Sequence, residues 1–328
     1  GEAVARAVRE RQPRMVVLVA RGTSDHAAIY GRYLIEAQLG LVSALAAPSI
    51  LTVYERRPQW RDALVVAVSQ SGQSDDVAAV ITAARESGAL TVTVTNDPSS
   101  PLAGASEYVM GCRAGEERAV AATKTYVAEL AVIAALVALL ADDAALRDAL
   151  KRLPAALADS LALSTAWLER SDTLVTSLAV AERALVFARG YNFPTALEVA
   201  LKLKETSRLF AEGYSAADLL HGPVALAGPP VPTLVFRPHG PMGRALDEAI
   251  ARVAASGAPN WIIGAPDERR GRDAPPAGPH LVLPDDLPEP LTPLTYVLPG
   301  FLLAEVVSRR RGLDPDTPAG LSKVTRTR

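Results

Sequence analysis

A strand–turn–helix signature occurs twice in this chain, at a fixed offset. Val19-Ala20-Arg21-Gly22 closes one apolar run, and Phe187-Ala188-Arg189-Gly190 closes another. The two glycines stand 168 residues apart (190 − 22). That offset is too long for a solenoid repeat and indicates duplication of a whole domain. Each run is continuously apolar rather than alternating, the pattern of a strand covered on both faces of a parallel sheet. The expected fold class is therefore α/β, with two tandem domains, each a doubly wound, mainly parallel sheet flanked by helices.

The rest of the pattern fits this frame. In the first copy, apolar runs at 15–20 and 64–68 read as buried strands, 90–95 as the third strand and 107–111 as a short fourth. Helical patterns cover 25–40 and 75–87, and a long apolar helix covers 123–140. Residues 142–181 are amphipathic without strand pattern. In the second copy, 184–188, 232–236, 261–264 and 280–283 read as strands, 267–279 as a surface loop rich in Pro, Gly and charge, and 296–309 as the last helix. The expected domains are 1–141 and 182–311, joined by a helical connector at 142–181 and followed by an extended C-terminal tail at 312–328.

Composition narrows the function classes. The 328 residues suffice for two domains of ordinary size. The net charge is −2, and no basic patch carries interleaved aromatics, which argues against nucleic acid and anionic membranes as partners. Arg309-Arg310-Arg311 closes an apolar helix, where positive charge suits the C-terminal end. The one cysteine, Cys112, excludes an internal disulfide and makes a Cys-based metal site improbable. The longest apolar helical run, 130–141, is too short to span a bilayer, and no signal peptide is evident. The expected location is the cytoplasm, and no cofactor or metal is expected.

Chemistry gathers in residues 188–223. After the Arg189-Gly190-Tyr191-Asn192 turn a helix begins, with Asn192 as its expected N-cap and Pro194 in the first turn. Glu198, Lys202 and Glu205 lie at i, i+4 and i+7 on one face of that helix. On helix statistics alone such a face reads as a solvated stripe with favourable i,i+4 pairing. The sequel, Leu220-His221-Gly222-Pro223, places one of only four histidines beside a backbone-fixing Gly-Pro. A carboxylate, an amine and an imidazole together make a proton-transfer set.

A second stretch, residues 69–74, lies between a buried strand and a helix and holds three serines, two glutamines and a glycine. Free amides at a helix start with hydroxyls alongside suit a phosphate, although Ser74 also reads as an ordinary helix cap in a Ser-rich turn. The loop is neither a Walker loop nor a dinucleotide fingerprint. The corresponding place in the second copy, Arg237-Pro238-His239-Gly240, has no serine cluster.

These pieces resemble the double sugar-isomerase (SIS) domain family, as in the isomerase half of glucosamine-6-phosphate synthase and in stand-alone glucosamine-6-phosphate deaminases. The matching motifs are Arg189-Gly190-Tyr191-Asn192, Ala196-Leu197-Glu198, Ala200-Leu201-Lys202-Leu203-Lys204-Glu205 and His221-Gly222-Pro223. The loop at 69–74 matches the family's phosphate loop, with Gln73-Ser74 where Glu-Thr is frequent. The resemblance implies that Ser69, Gln70, Ser71 and Ser74 hold a sugar phosphate and that Ser24 contacts the sugar. It maps a backbone contact to Val120. Thr123 reads both as a plain N-cap and as part of that sugar-contacting segment. In the tail, Pro318-Ala319-Gly320-Leu321-Ser322-Lys323-Val324-Thr325 resembles the family's C terminus. That match makes Lys323 a Schiff-base lysine and Ser322 a substrate contact. Taken alone, a tail lysine reads as a solvated charge.

The implied substrate is a hexose phosphate or amino-sugar phosphate. His221 would open the ring, Glu205 would move a proton between C1 and C2, Lys323 would form an imine, and Lys202 and Glu198 would orient Glu205. An ion pair with Lys202 would keep Glu205 able to act as a base. A homodimer is implied, with His221 reaching a neighbouring site. The 328 residues hold no glutaminase stretch and no cysteine before Cys112, so release of ammonia from glutamine is not expected. The expected activity is conversion of glucosamine 6-phosphate to fructose 6-phosphate and ammonia, or a related aldose–ketose isomerisation. Fructosamine-phosphate deglycation and non-catalytic sugar-phosphate sensing are the alternatives.

Overall fold

The structure is a computed structural model that describes residues 1–265 and 280–323. The chain folds as two compact units. The first comprises Gly1–Arg118 and Ala122–Leu150, with Ser322 and Lys323 of the tail; the second comprises Ala119–Ala121 and Lys151–Leu321.

In the first unit the elements run α1 (Glu2–Arg11), β1 (Met15–Val19), α2 (Thr23–Leu39), β2 (Val42–Leu45), α3 (Ser49–Thr52), β3 (Ala63–Ser69), α4 (Asp75–Glu86), β4 (Leu90–Thr95), α5 (Pro101–Ala105), β5 (Tyr108–Gly111) and α6 (Lys124–Leu140). The five strands pair in parallel in the order β2-β1-β3-β4-β5. Every residue of β3 and β4 is buried, the nearly continuous apolar run of β3 and the alternating Val and Thr of β4 alike, as the two covered faces of a parallel sheet require. Val65, Ala67, Val77, Val80, Ile81, Ala84 and Leu102 knit one face of the sheet to α4 and α5.

Two helices follow, α7 (Ala144–Leu168) and α8 (Asp172–Val180), in the stretch expected to be helical. The second unit then repeats the pattern with β6 (Arg183–Ala188), α9 (Phe193–Ser207), β7 (Phe210–Ser215), α10 (Ala216–Leu220), β8 (Thr233–Arg237), α11 (Gly240–Arg244), α12 (Asp247–Ala255), β9 (Asn260–Gly264), β10 (Leu281–Val282) and α13 (Thr292–Arg310). Its parallel order, β10-β9-β8-β6-β7, is the first order again when β6 is matched to β1. The duplication seen in the two Arg-Gly turns is thus a duplication of topology.

Helices α1, α3, α5, α10, α11 and α12 go beyond the sequence pattern, as do two strands and the start of the last helix. Strand β2 has only four residues and carries Val42 at 71% exposure, so it lacks a buried-strand signature. Strand β7 reads Phe-Ala-Glu-Gly-Tyr-Ser, poor in β-formers, and lies at a sheet edge. Helix α13 extends the expected 296–309 helix upstream, with Pro299 and Gly300 inside it. Within residues Glu289–Arg310 it is long and apolar enough to cross a membrane, but 72% of that apolar window is buried inside the protein. It is a core helix packed on α8 and α9. The loop expected at 267–279 lies outside the described residues.

In each sheet the chain leaves the two central strands in opposite directions. In the first unit β1 connects to the β2 side and β3 to the β4 side, which opens a crevice at their carboxyl ends. The residues leaving those ends are Arg21-Gly22-Thr23-Ser24 and the loop at 69–74.

Candidate functional site

Helix α9 carries the charged face. Gly190 turns the chain with φ +62, a single 3₁₀ turn follows, and α9 starts at Phe193. Asn192 does not cap the helix amides through its side chain, contrary to expectation. Its side-chain oxygen accepts from the Thr195 hydroxyl (3.2 Å), and its side-chain amide donates to the Thr292 hydroxyl (2.8 Å), which ties the turn to α13. The helix is gripped on two sides. A Cβ on Gly300 of α13 would overlap the Val199 side chain, and one on Gly213 of β7 would come within 2.9 Å of the Leu197 Cα. Both glycines admit backbone approach that no other residue allows. Ser308 donates to the Thr206 carbonyl (2.8 Å) and closes the far end.

This grip buries the stripe that composition alone would leave in solvent. Lys202 is 2% exposed and Glu198 fully buried, whereas the Glu205 side chain keeps 25% exposure. The Lys202 ammonium lies 3.4 Å from Glu198 Oε1 and donates to Glu205 Oε2. Burial works to lower the Lys202 pKa, but the charges of Glu198 and Glu205 and their hydrogen bonds outweigh it, and the net direction is upward. The result is one buried cation between two carboxylates, with a single carboxylate left partly open. That is a buried charge network rather than a surface ion pair, and it could support Glu205 as a base.

His221 is not joined to this triad. It lies exposed at the C-terminal end of α10, and its backbone N–H donates to the Asp218 carbonyl. Among the described residues no hydrogen bond or ion pair links its imidazole to Glu198, Lys202 or Glu205.

In the first unit the serine loop is tightly built. Gly72 has φ +63, and a Cβ there would overlap Ser100, the cap of α5. Gln70 O accepts from Asn96 N (3.2 Å), and Gly72 O accepts from Leu102 N (3.2 Å). Inside the loop, Ser69 Oγ accepts from Gly72 N (3.1 Å) and Ser71 Oγ from Gln73 N (3.3 Å). Both hydroxyls thereby act as acceptors internally and keep their hydrogens to give to an anion. Ser74 makes no side-chain cap bond to α4. Asp76, in the first turn of α4, accepts from Arg21 Nε (2.8 Å) and so ties the β1 turn to the start of α4. Ser24 is the contrasting serine. Its hydroxyl donates to the buried Glu129 of α6 at 2.8 Å.

The segment before α6 holds a residue that sequence reasoning misses. Thr123 is the expected cap, yet its side chain makes no cap bond. The buried Glu117 instead accepts from Thr123 N (3.3 Å) and Thr125 N (2.9 Å). A carboxylate six residues upstream of Thr123 escapes any short capping motif. Val120 N donates to the Asp316 carbonyl (2.9 Å). Ser322 is exposed and Lys323 half-buried, and residues 324–328, with Val324 and Thr325 of the tail motif, lie outside the described residues.

A family model for the SIS domain matches residues 11–139 and 177–264. The chain belongs to the SIS domain family. Both matched segments contain a crevice-forming pair of strands, β1 with β3 and β6 with β8, so each unit holds an SIS domain. A relative from Methanothermobacter thermautotrophicus, glutamine–fructose-6-phosphate aminotransferase (isomerizing), is 35% identical over 311 residues, 94% of this chain and 51% of the relative. The chain spans about half the length of the curated relatives it matches. Among solved structures, a proposed phosphosugar isomerase from Silicibacter pomeroyi is 35% identical with a TM-score of 0.84, covering 96% of this chain and 92% of that one. The C-terminal domain of glucosamine-fructose-6-phosphate aminotransferase from Francisella tularensis is 25% identical with a TM-score of 0.86, covering 96% and 89%. The second SIS domain has a buried arginine, Arg237, at the place of the serine loop, and it pairs with Asp247 at 3.2 Å.

Proposed function

We propose that this chain is a phosphosugar isomerase of SIS type that converts glucosamine 6-phosphate and water to fructose 6-phosphate and ammonia. The observation that carries the reading is the buried Glu198–Lys202–Glu205 triad, with Glu205 alone partly open. A structural ion pair has no need of two charges taken fully out of water, which is costly, beside a third that keeps an exposed end. The reading is supported by kinship with glutamine–fructose-6-phosphate aminotransferases and by a serine loop with two free hydroxyl hydrogens.

The roles are those the resemblance to the family implies, arranged so that the chemistry closes. Ser69, Gln70, Ser71 and Ser74 hold the phosphate, and Ser24, Val120 and Ser322 contact the sugar. His221 opens the ring to the aldehyde. Glu205 takes the C2 proton and returns a proton at C1, while the aldehyde oxygen gains a proton and the amine loses one. This leaves an imine at C2. Exchange with the Lys323 amine releases ammonia, and one water hydrolyses the lysine imine to the ketone. Lys202 supplies the countercharge beside Glu205, and Glu198 anchors Lys202. The exposed position of His221, without a bond to the triad, fits a role in a second copy's site, so a homodimer is part of the proposal. A soluble, cytoplasmic location suits a phosphorylated substrate.

The test is ammonia release from glucosamine 6-phosphate, followed together with fructose 6-phosphate. Stoichiometric appearance of both is expected. Interconversion of a hexose phosphate without ammonia would make the protein a plain isomerase. Binding without turnover, unchanged in Lys323→Ala, would replace the enzyme reading with a sensor.

A further inference from the structure

We propose that Asp314 is a positioning residue that sets the tail for imine formation by holding the Asp316 carbonyl on the Val120 amide. The inference rests on the roles given above to Lys323 and Val120.

Residues 312–323 of the tail form a built segment. Where α13 stops, Gly312 takes φ +71 and Leu313 N donates to the Ser308 carbonyl (3.0 Å), which fixes the exit direction. Two residues after Gly312 stands Asp314, whose side chain is fully engaged with its own chain. Its carboxylate accepts from Asp316 N (2.9 Å) and from the Thr317 hydroxyl. These bonds, that from the Thr317 side chain foremost, hold its carboxyl below the ordinary carboxylate range. They fold residues 314–317 into a turn and leave the Asp316 carbonyl pointing at Val120 N, 2.9 Å away. A second turn follows at once, with Leu321 N donating to the Pro318 carbonyl (3.3 Å) and Gly320 at φ +88. Lys323 lies two residues beyond Leu321.

The consequence is a direct connection between the tail and residue 120. Val120 has its N–H occupied by the tail, so the peptide plane on that side is set by Asp316. Its carbonyl, in the next peptide along, is the group assigned to the sugar. One exposed carboxylate therefore governs the start of the segment that delivers Lys323 and the backbone beside Val120. Asp314 touches neither substrate nor reacting atoms; it acts through Asp316. Misplacement of a positioned group by an ångström is enough to cost a large part of a rate.

The experiment uses the full chain, with fructose 6-phosphate and borohydride to trap the Lys323 imine, and inorganic phosphate as a competitive inhibitor. Asp314→Ala is expected to lower kcat and the trapping rate about ten- to a hundredfold. The inhibition constant for inorganic phosphate should stay within about twofold. Asp314→Asn keeps an acceptor oxygen for Asp316 N and is expected to restore most of the rate. Trapping at the wild-type rate in Asp314→Ala would overturn the inference, as would failure of Asp314→Asn to rescue it. Parallel loss of phosphate affinity would also overturn it, because a general loosening would then explain the defect. A wild-type protein that turns over sugar phosphate but traps no imine would sink the Lys323 assignment and this inference together, and leave the Glu205 chemistry standing.

Discussion

The Lys202 ammonium lies 3.4 Å from Glu198 Oε1, with both side chains at or below 2% exposure. Taking one partner from such a set leaves an uncompensated buried charge. Lys202→Met is therefore expected to destabilise the protein by about 3–5 kcal/mol, read by urea unfolding at pH 7.5. The pH dependence has a definite sign. Lys202 binds its proton more tightly when folded, its pKa being raised by Glu198 and Glu205 against the opposing effect of burial. Its contribution is thus complete below the ordinary lysine range near ~10.4 and is lost as pH climbs through the raised value. Wild type should lose its advantage over Lys202→Met only at strongly alkaline pH. Glu205→Gln is expected to fold normally and to lose roughly 10²- to 10⁴-fold in kcat.

The position of that triad depends on Gly300. Val199 occupies the space that a Cβ on Gly300 would need. Gly300→Ala is expected to cost about 1–3 kcal/mol through overpacking, measured by thermal or urea unfolding. It should also lower kcat more than it raises KM, because α9 carries Glu205. A variant with unchanged stability would show that α13 can move away from α9 without penalty.

How much of this was legible in the sequence depends on the range of the interaction. The two Arg-Gly turns, the continuous strands and the i, i+4, i+7 charges are local patterns, and they reveal the fold and the members of the triad. Their burial is not local. It arises because Gly300 and Gly213, one in another helix and one in an edge strand, let backbone close on α9. A glycine inside an apolar helix signals nothing about its partner until the helices are packed. Glu117 escapes for the same reason, since it caps a helix from six residues upstream of Thr123. Strands β2 and β7 escape because edge strands are half solvated and need no unbroken apolar run.

The serine loop offers a cleaner separation of binding from folding. Ser71 Oγ accepts from Gln73 N at 3.3 Å, a long bond whose loss costs little, while its hydrogen is available to an anion. Ser71→Ala is expected to weaken inorganic phosphate and sugar phosphate alike by about tenfold, roughly one hydrogen bond to a charged group, with little change in melting temperature. Gly72→Ala should do the opposite first. It forces a side chain into φ +63 and into Ser100, so stability falls by about 1–3 kcal/mol before any effect on binding is read. Isothermal titration with inorganic phosphate, beside urea unfolding, checks both. Equal affinity in Ser71→Ala would remove that hydroxyl from the phosphate site.

Cys112 reports on the Ser24 end of the first unit. Its thiol is pushed up to about 12, first by burial and then by the charge of Glu129, the residue to which Ser24 donates. At pH 8 roughly one molecule in 10⁴ carries the thiolate, against about one in four for an ordinary cysteine. Labelling by a disulfide reagent at pH 8 should therefore be slower by about 10³-fold in the native protein than in urea. Glu129→Gln removes the carboxylate charge and keeps the side-chain shape. It is expected to accelerate native labelling severalfold, and to do so without unfolding, as judged by an unchanged circular dichroism spectrum. It also changes the partner of the Ser24 hydroxyl, since an amide can donate to that oxygen where a carboxylate only accepts. A KM for sugar phosphate that shifts with the labelling rate would place Ser24 in the substrate's reach. A labelling rate that shifts alone would confine Glu129 to the electrostatics around Cys112.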